Sequence, residues 1–329
     1  MVTPLAKLPI LWRQIQRDNF TCPQKLADFL ELSPPLRARL LEAPKFVLNL
    51  PRRLAEKIPK NTLDDPIFRQ FVPLDLELDR EPGFVADPVC DKSFQKGRTI
   101  LHKYKGRALW LTSSACAMHC RYCFRQNFPY ETKMEDFSAE IEYLQKNSDI
   151  KEIILSGGDP LSLSNEALQN LLRTFDAIPH IQRIRFHTRF PIGIPERIDE
   201  GFLAVLQNIK AQIFFIIHSN HPGELDSDVV SALRKIAKLG IPLLNQSVLL
   251  KGVNNDEETF LALCEKLVDS GVMPYYLHLL DPVLGSGHFQ VSEERGIELI
   301  QYVQQRLSGY GVPRLVREEA GKYSKTFLG

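Results

Sequence analysis

The chain has 329 residues, 44% of them apolar and 25% charged, and 41 Lys and Arg against 40 Asp and Glu leave a formal net charge of +1. That balance belongs to an ordinary globular protein and supplies no global field to draw in nucleic acid. No run approaches the roughly 20 apolar residues that cross a bilayer, and the apolar start at Met1–Leu11 is broken by Pro4, Lys7 and Pro9, so neither a membrane span nor a secretory signal is expected.

In chain order, the segments Cys22–Leu32, Pro35–Leu41 and Pro51–Ile58 read as short helices punctuated by proline. Pro66, Pro73, Pro82 and Pro88 then suggest an extended, turn-rich connector. Residues 1–95 are therefore read as a small helical module with its connector, and residues 96–329 as the main domain. From Ala108 onward apolar, β-prone runs recur at Ala108–Leu111, Glu152–Leu155, Ile181–His187, Gln212–His218, Ile241–Leu249 and Tyr275–Leu280. Between them Phe137–Lys146, Asn165–Ala177, Pro195–Asn208, Leu225–Leu239, Asp256–Ser270 and Ser292–Ser308 fit amphipathic helices. Asp256 and Ser292 sit where N-caps belong, and Gly240 and Gly271 where helices should stop. This α/β alternation, with a spacing of about 30 residues after the first interval, predicts a parallel sheet covered by helices and buried on both faces.

Polar residues gather at the C-terminal end of nearly every expected strand: Cys116, Ser156-Gly157-Gly158-Asp159, His187-Thr188-Arg189, His218, Asn245-Gln246 and Asp281. A doubly wound open sheet concentrates its site at one crevice, whereas a barrel carries chemistry around that whole rim. The pattern favours a closed or nearly closed barrel.

Of the six cysteines, Cys116, Cys120 and Cys123 fall within eight residues, and Cys22, Cys90 and Cys264 are scattered. A disulfide framework would be shorter and denser in cysteine, so the compartment is expected to be reducing and the protein cytoplasmic. A structural zinc ion wants four ligands. The nearest fourth candidate, His119, lies between two of the cysteines, and Cys264 sits in an expected core helix. Three thiolates on a [4Fe–4S] cluster would leave one iron open to a small molecule, where electron-transfer clusters use four cysteines.

The CxxxCxxC spacing with Tyr122 before the last cysteine resembles the radical S-adenosylmethionine enzymes, and Ser156-Gly157-Gly158-Asp159-Pro160 resembles that family's glycine-rich turn. The similarity narrows with Cys120–Arg125, His218-Ser219-Asn220-His221-Pro222, Asn245–Asn254 and Tyr275–His278, which together resemble the lysine 2,3-aminomutases over about residues 87–327. This resemblance implies a partial (β/α)6-type TIM barrel and three cofactors: a [4Fe–4S] cluster on Cys116, Cys120 and Cys123, S-adenosylmethionine, and pyridoxal 5′-phosphate. It implies an internal aldimine at Lys325, with Lys322 the second candidate because Gly321-Lys322-Tyr323-Ser324 replaces the family's glycine run. It places S-adenosylmethionine near Ser156, Gly157, Gly158, Asp159, His218, Gln246 and the Arg185–Arg189 strand end, and the cofactor phosphate near Lys103 and Arg107. The substrate carboxylate falls to Arg125, whose planar fork matches two oxygens. The distant ammonium falls to Asp281 and Glu318, a glutamate where clostridial relatives have aspartate, with Glu319 facing away.

The implied reaction turns free L-lysine into β-lysine: an adenosyl radical takes a hydrogen atom from the β-carbon, nitrogen migrates, and hydrogen returns. The compact form and the Glu318-Glu319 to Lys325-Thr326 ending resemble the bacterial enzymes that supply (R)-β-lysine, which a separate ligase attaches to translation elongation factor P. Self-association stays open. Three other readings stay open too: an aminomutase for another amino acid such as glutamate, a radical enzyme modifying a macromolecule without pyridoxal phosphate, and a zinc-binding module. Acids aimed at an ammonium argue against glutamate.

Overall fold

The β-branched and aromatic runs do become strands, and in the computed structural model, which describes residues 12–130 and 137–329, they build one nine-stranded sheet. The strands are β1 (Ile100–Tyr104), β2 (Arg107–Ser113), β3 (Glu152–Gly157), β4 (Arg183–Thr188), β5 (Gln212–Ile217), β6 (Leu243–Val248), β7 (Met273–His278), β8 (Arg314–Arg317) and β9 (Thr326–Phe327). Each lies beside its sequence neighbour. β2 to β8 run parallel, while β1 and β9 close the two edges antiparallel. No ladder joins β1 to β9 among the described residues, so the barrel is partial. β1, β8 and β9 had no counterpart in the six expected runs; they are short and carry Lys103, Arg107 nearby and Arg314, which masks an apolar pattern.

Before the sheet come α1 (Trp12–Arg17), α2 (Pro23–Phe29), α3 (Pro34–Arg37), α4 (Arg52–Ala55) and α5 (Pro66–Phe71). α5 corrects the extended reading of Pro66. Proline there occupies the first helical position, where no N–H is needed, and the Asp65 carboxylate accepts from the N–H groups of Ile67 and Phe68. The crossovers carry α6 (Ser138–Lys146), α7 (Asn165–Asp176), α8 (Phe190–Gly193), α9 (Glu200–Gln207), α10 (Ser227–Ala237), α11 (Glu257–Asp269) and α12 (Glu293–Gln304). Asp256 and Ser292 cap α11 and α12 as expected, accepting from Thr259 and Arg295, each worth about 1 kcal/mol. Gly240 and Gly271, both at φ +75°, take the left-handed turn that ends α10 and α11.

The expectation that both sheet faces are packed needs correction. Along β4, Ile184 and Phe186 are buried outward, where Phe186 meets Phe202 of α9, while Arg183, Arg185 and His187 point into the barrel lumen. The period of two sorts them. β3, β5 and β6 alternate likewise, with Glu152, Ile154 and Ser156, then Phe214 and Ile216, then Leu244, Gln246 and Val248 facing inward. The lumen is thus a lined cavity.

Leu26, Leu30, Leu50, Leu54, Phe68 and Phe71 of the first segment share one continuous apolar core with Trp110, Phe186 and Phe190 of the barrel. No helix among the described residues is long and apolar enough to cross a membrane. The Met1–Leu11 run lies outside the described residues.

Candidate active site

After β2 the chain turns into the cysteine loop, whose backbone is held by the helices that precede the sheet. Asn19 Nδ2 donates to the Ala117 carbonyl at 2.8 Å, Asn49 Nδ2 to that of Cys116 at 3.2 Å, and Gln16 Nε2 to the same oxygen at 3.3 Å. In return the N–H groups of His119 and Arg121 donate to the carbonyls of Asn49 and Gln70 at 2.9 and 2.8 Å. The Arg121 guanidinium, 1% exposed, forks onto Glu77 at 2.7 and 2.5 Å. His119 turns away from the cysteines, with Nδ1 2.8 Å from the Val47 carbonyl oxygen and its ring stacked on Phe46. Cys264 is buried in α11.

The free thiols of Cys116, Cys120 and Cys123 line the lumen cavity. Burial pushes Cys123 up to about 11, with Cys120 adding and Arg125 and Arg121 opposing, and raises Cys116 well above the ordinary thiol range, with Asp159 and the other two thiols adding. The bare loop therefore holds protons that a metal must displace. Among the described residues, no three His, Cys, Asp or Glu side chains converge closely enough to hold a single metal ion. With His119 turned away, three thiolates fall one short of a structural zinc's four ligands, whereas a [4Fe–4S] cluster can take three and leave one iron open.

The glycine turn at the end of β3 serves the protein before any ligand. A Cβ on Gly158 would stand 2.4 Å from the Ala115 carbonyl oxygen, and one on Gly157, at φ +111°, 2.9 Å from that of Ser113. These glycines let the turn press against the start of the cysteine loop, where Gly158 N–H donates to Ser113 at 2.6 Å and Asp159 N–H to Ala115 at 2.8 Å. The Asp159 carboxylate, 4% exposed, accepts from the Thr188 hydroxyl at 2.7 Å and from the N–H groups of Leu161, Arg189 and Phe190 at 3.0, 2.7 and 3.0 Å. It fastens β3 to β4 and has little capacity left for a ligand.

Below this rim the cavity, about 690 Å³, runs down the lumen to Lys325, which precedes β9. Lys103, Arg107, Arg125, Asp281 and Glu318 line it together with the cysteine trio and the residues expected to meet S-adenosylmethionine, apart from outward-facing Phe186. The second lysine, Lys322, does not, and Glu319 turns instead to the Thr326 hydroxyl. Lys325 Nζ donates to Glu318 Oε2 at 2.7 Å. Glu318 Oε1 accepts from Lys103 Nζ at 3.1 Å and from the Tyr104 hydroxyl at 2.5 Å. Burial alone would raise the Glu318 carboxyl, but the Lys325 charge and these hydrogen bonds bring it down to about 2. Asp281 has the opposite environment. Burial, against the charge of Lys325, raises it to about 7, and its carboxylate has no hydrogen-bond partner among the described residues.

Asp91 was not singled out from the sequence, yet it joins two residues that were. Its carboxylate, 4% exposed, accepts from Arg125 Nε at 2.8 Å and lies 3.5 Å from Lys103 Nζ. A solitary acid in the connector, beside Cys90 at φ +54°, has no periodic signal. The only hint was that two cations assigned to one site need a counter-ion. Arg125 Nη1 donates to Ser156 Oγ at 3.3 Å. Arg107 makes no ion pair among the described residues and lies 4.4 Å over the Tyr104 ring.

Three imidazoles complete the wall. Burial lowers His218 to about 3 and holds His187 and His278 well below the ordinary range, so all three are neutral near pH 7. The buried Nε2 atoms of His187 and His278 have no hydrogen-bond partner among the described residues. Orphaned polar atoms around a deep cavity fit a polar ligand there.

A family model described as the Radical SAM superfamily matches residues 110–264. The chain is 39% identical over 319 residues to an L-lysine 2,3-aminomutase of Haemophilus influenzae, covering 96% of this chain and 94% of that protein. It is 39% identical over 323 residues to one of Escherichia coli, with the same coverage of 96% and 94%. Among solved structures, a radical SAM methyltransferase from Sphaerobacter thermophilus has a TM-score of 0.50 at 17% identity, over 66% of this chain and 68% of that one, a likeness of fold alone. With its cysteine loop, its partial barrel and this near full-length identity, the chain belongs to the L-lysine 2,3-aminomutases of the radical SAM superfamily, and it is an isomerase.

Proposed function

We propose that the protein converts free L-lysine to β-lysine, in the (R) form, using pyridoxal 5′-phosphate alongside the iron–sulfur cluster and S-adenosylmethionine. The product would pass to a separate ligase acting on translation elongation factor P. When bound, the cluster and S-adenosylmethionine supply hydrogen-atom abstraction, and pyridoxal phosphate supplies the carbonyl through which nitrogen migrates. One observation carries the reading: the thiols of Cys116, Cys120 and Cys123 and the amine of Lys325 open on the same cavity.

The protein's own task is to hold and shield. Lys325 anchors the pyridine cofactor, and Arg107, free of ion pairs among the described residues, offers its guanidinium to the phosphate, with Lys103 beside it. Arg125 Nη2 makes no hydrogen bond among the described residues and is offered to the substrate carboxylate, while Asp91 fixes its other side. Asp281, unpartnered, receives the distant ammonium, and Glu318 joins it by exchanging a lysine of the protein for that of the substrate. The wall at Ser156, Gly157, Gly158, His218 and Gln246 receives S-adenosylmethionine. Filled by the cofactors and substrate, the lumen would leave little room for water at the reacting centre. The elongation factor role is supported by the resemblance of the Glu318–Thr326 ending, and the aminomutase reaction by similarity over 94% of each bacterial relative.

Anaerobic reconstitution, then incubation with lysine, S-adenosylmethionine and a reductant, followed by chiral analysis, tests the proposal. The expected product is (R)-β-lysine, with none from glutamate. Unimpaired turnover after changing Cys116, Cys120 or Cys123 to Ala would refute the cluster assignment.

A further inference from the structure

Behind the cysteine loop lies a buried polar group that the proposed function does not use. Arg189 follows β4, and its backbone is pinned by its own N–H and that of Phe190 donating to Asp159 Oδ2 at 2.7 and 3.0 Å. Its side chain, 8% exposed, reaches the loop: Nη1 donates to Cys120 Sγ at 3.0 Å and to the Tyr122 hydroxyl. Nη2 donates to Gln70 Oε1 at 2.7 Å and to Glu224 Oε2 at 2.8 Å. Glu224 is fully buried, and its other oxygen accepts from Gln70 Nε2 at 3.0 Å and from Asn220 N–H at 3.1 Å. Asn220 Nδ2 donates to Gln70 Oε1 at 3.0 Å and to the Tyr122 hydroxyl at 2.6 Å.

Desolvating an Arg–Glu pair commonly outweighs its Coulomb attraction, and an apolar replacement often does as well or better for stability. The pair is therefore poorly explained as a fold stabiliser alone. What distinguishes it is its contact: a guanidinium N–H on the sulfur of one candidate cluster ligand. Hydrogen bonds to cluster sulfurs and nearby charge are the protein's means of setting an iron–sulfur potential. A cation and donor at the thiolate favour the more negative, reduced state, and a carboxylate just behind opposes this.

We propose that Arg189 and Glu224 are positioning residues that set the reduction potential of the cluster through Cys120, Arg189 raising it and Glu224 lowering it. The inference rests on the reading of Cys120 as a cluster ligand. Gln70, from α5, orients both groups, so the helices ahead of the barrel reach the cluster through it.

The test uses the full chain, the single variants Arg189→Gln and Glu224→Gln, and the double variant, each reconstituted anaerobically. Iron and sulfide per chain are measured first. The midpoint potential is then titrated by electron paramagnetic resonance without S-adenosylmethionine. The expected order, from most positive to most negative, is Glu224→Gln, wild type, Arg189→Gln, with the double variant between the two singles. Arg189→Gln leaves a buried carboxylate unpaired; if it fails to fold, Glu224→Gln and the double variant, which keeps a neutral polar network, decide the matter. Loaded variants that all titrate with the wild type overturn this proposal alone. A wild-type chain that takes up no iron and sulfide overturns the underlying assignment of the cysteines instead.

Discussion

Lys325 Nζ sits 2.7 Å from Glu318 Oε2, so the residue expected to anchor the pyridine cofactor and the acid expected to read the substrate's ammonium are partners in the unliganded protein. The second Glu318 oxygen is shared by Lys103 and Tyr104. Burial opposes the charged carboxyl, yet these partners lower it to about 2 from an ordinary 4.5. A lowered carboxylate stabilises the fold fully above its ordinary value, and that contribution is lost as pH falls through the lowered one. Glu318→Gln should therefore destabilise the protein by about 3 kcal/mol at pH 7, since two lysines lose a buried partner. In urea melts the gap to wild type should start to narrow below about pH 4.5.

Asp281 should make lysine binding depend on pH near neutrality. Its carboxyl is raised to about 7 by burial, with Lys325 pulling the other way. The ionised form is the one that attracts an ammonium. KM for lysine is expected to rise as pH falls below about 7, and Asp281→Asn should raise KM at least tenfold and flatten the profile. The stability effect has the opposite sign to that of Glu318. A raised carboxyl favours the fold at low pH and loses that contribution as pH climbs through 7, so Asp281→Asn should stabilise the unliganded protein above pH 7 by about 2 kcal/mol.

Asp91→Asn removes the counter-ion shared by Arg125 and Lys103. Breaking a buried ion pair from one side costs about 3–5 kcal/mol. Because Arg125 loses its orientation, KM for lysine should rise while iron and sulfide content stays at the wild-type level. An unchanged KM would separate Asp91 from substrate recognition.

Gly158→Ala tests the seam between the glycine turn and the cysteine loop. With a Cβ only 2.4 Å from the Ala115 carbonyl oxygen, backbone must move. The expected result is a loss of about 2–3 kcal/mol, in the range of overpacked sites, together with impaired iron uptake. Wild-type iron content and Tm would show that the turn and the loop are independent.

How legible the molecule was in its sequence depended on the kind of order involved. The parallel strands and their crossover helices announced themselves through period and capping, as Asp256 and Ser292 did. The cysteine trio declared itself through spacing. The Arg185–Arg189 strand end was expected to line the S-adenosylmethionine site, but the depth of the polar lumen was missed because Arg183, Arg185 and His187 alternate with Ile184 and Phe186 on a strand read as buried on both sides. Asp91 and the Gln70–Glu224 contact were missed because such pairs are made by residues 34 and 154 positions apart, which no local pattern encodes. Asp159 and the glycines beside it were seen, but their fastening of β3 to β4 and to the cysteine loop follows only from the fold.

The central claim is that one cavity serves both the cysteine trio and Lys325, and isotope transfer tests it most directly. The reconstituted enzyme would be given L-lysine deuterated at its β-carbon, and 5′-deoxyadenosine and β-lysine analysed by mass spectrometry and nuclear magnetic resonance. Because abstraction and return of hydrogen would both take place within the one cavity, deuterium should appear in 5′-deoxyadenosine and at the carbon of β-lysine that gave up the nitrogen. Deuterium-free 5′-deoxyadenosine, with the label remaining on its original carbon, would contradict the account.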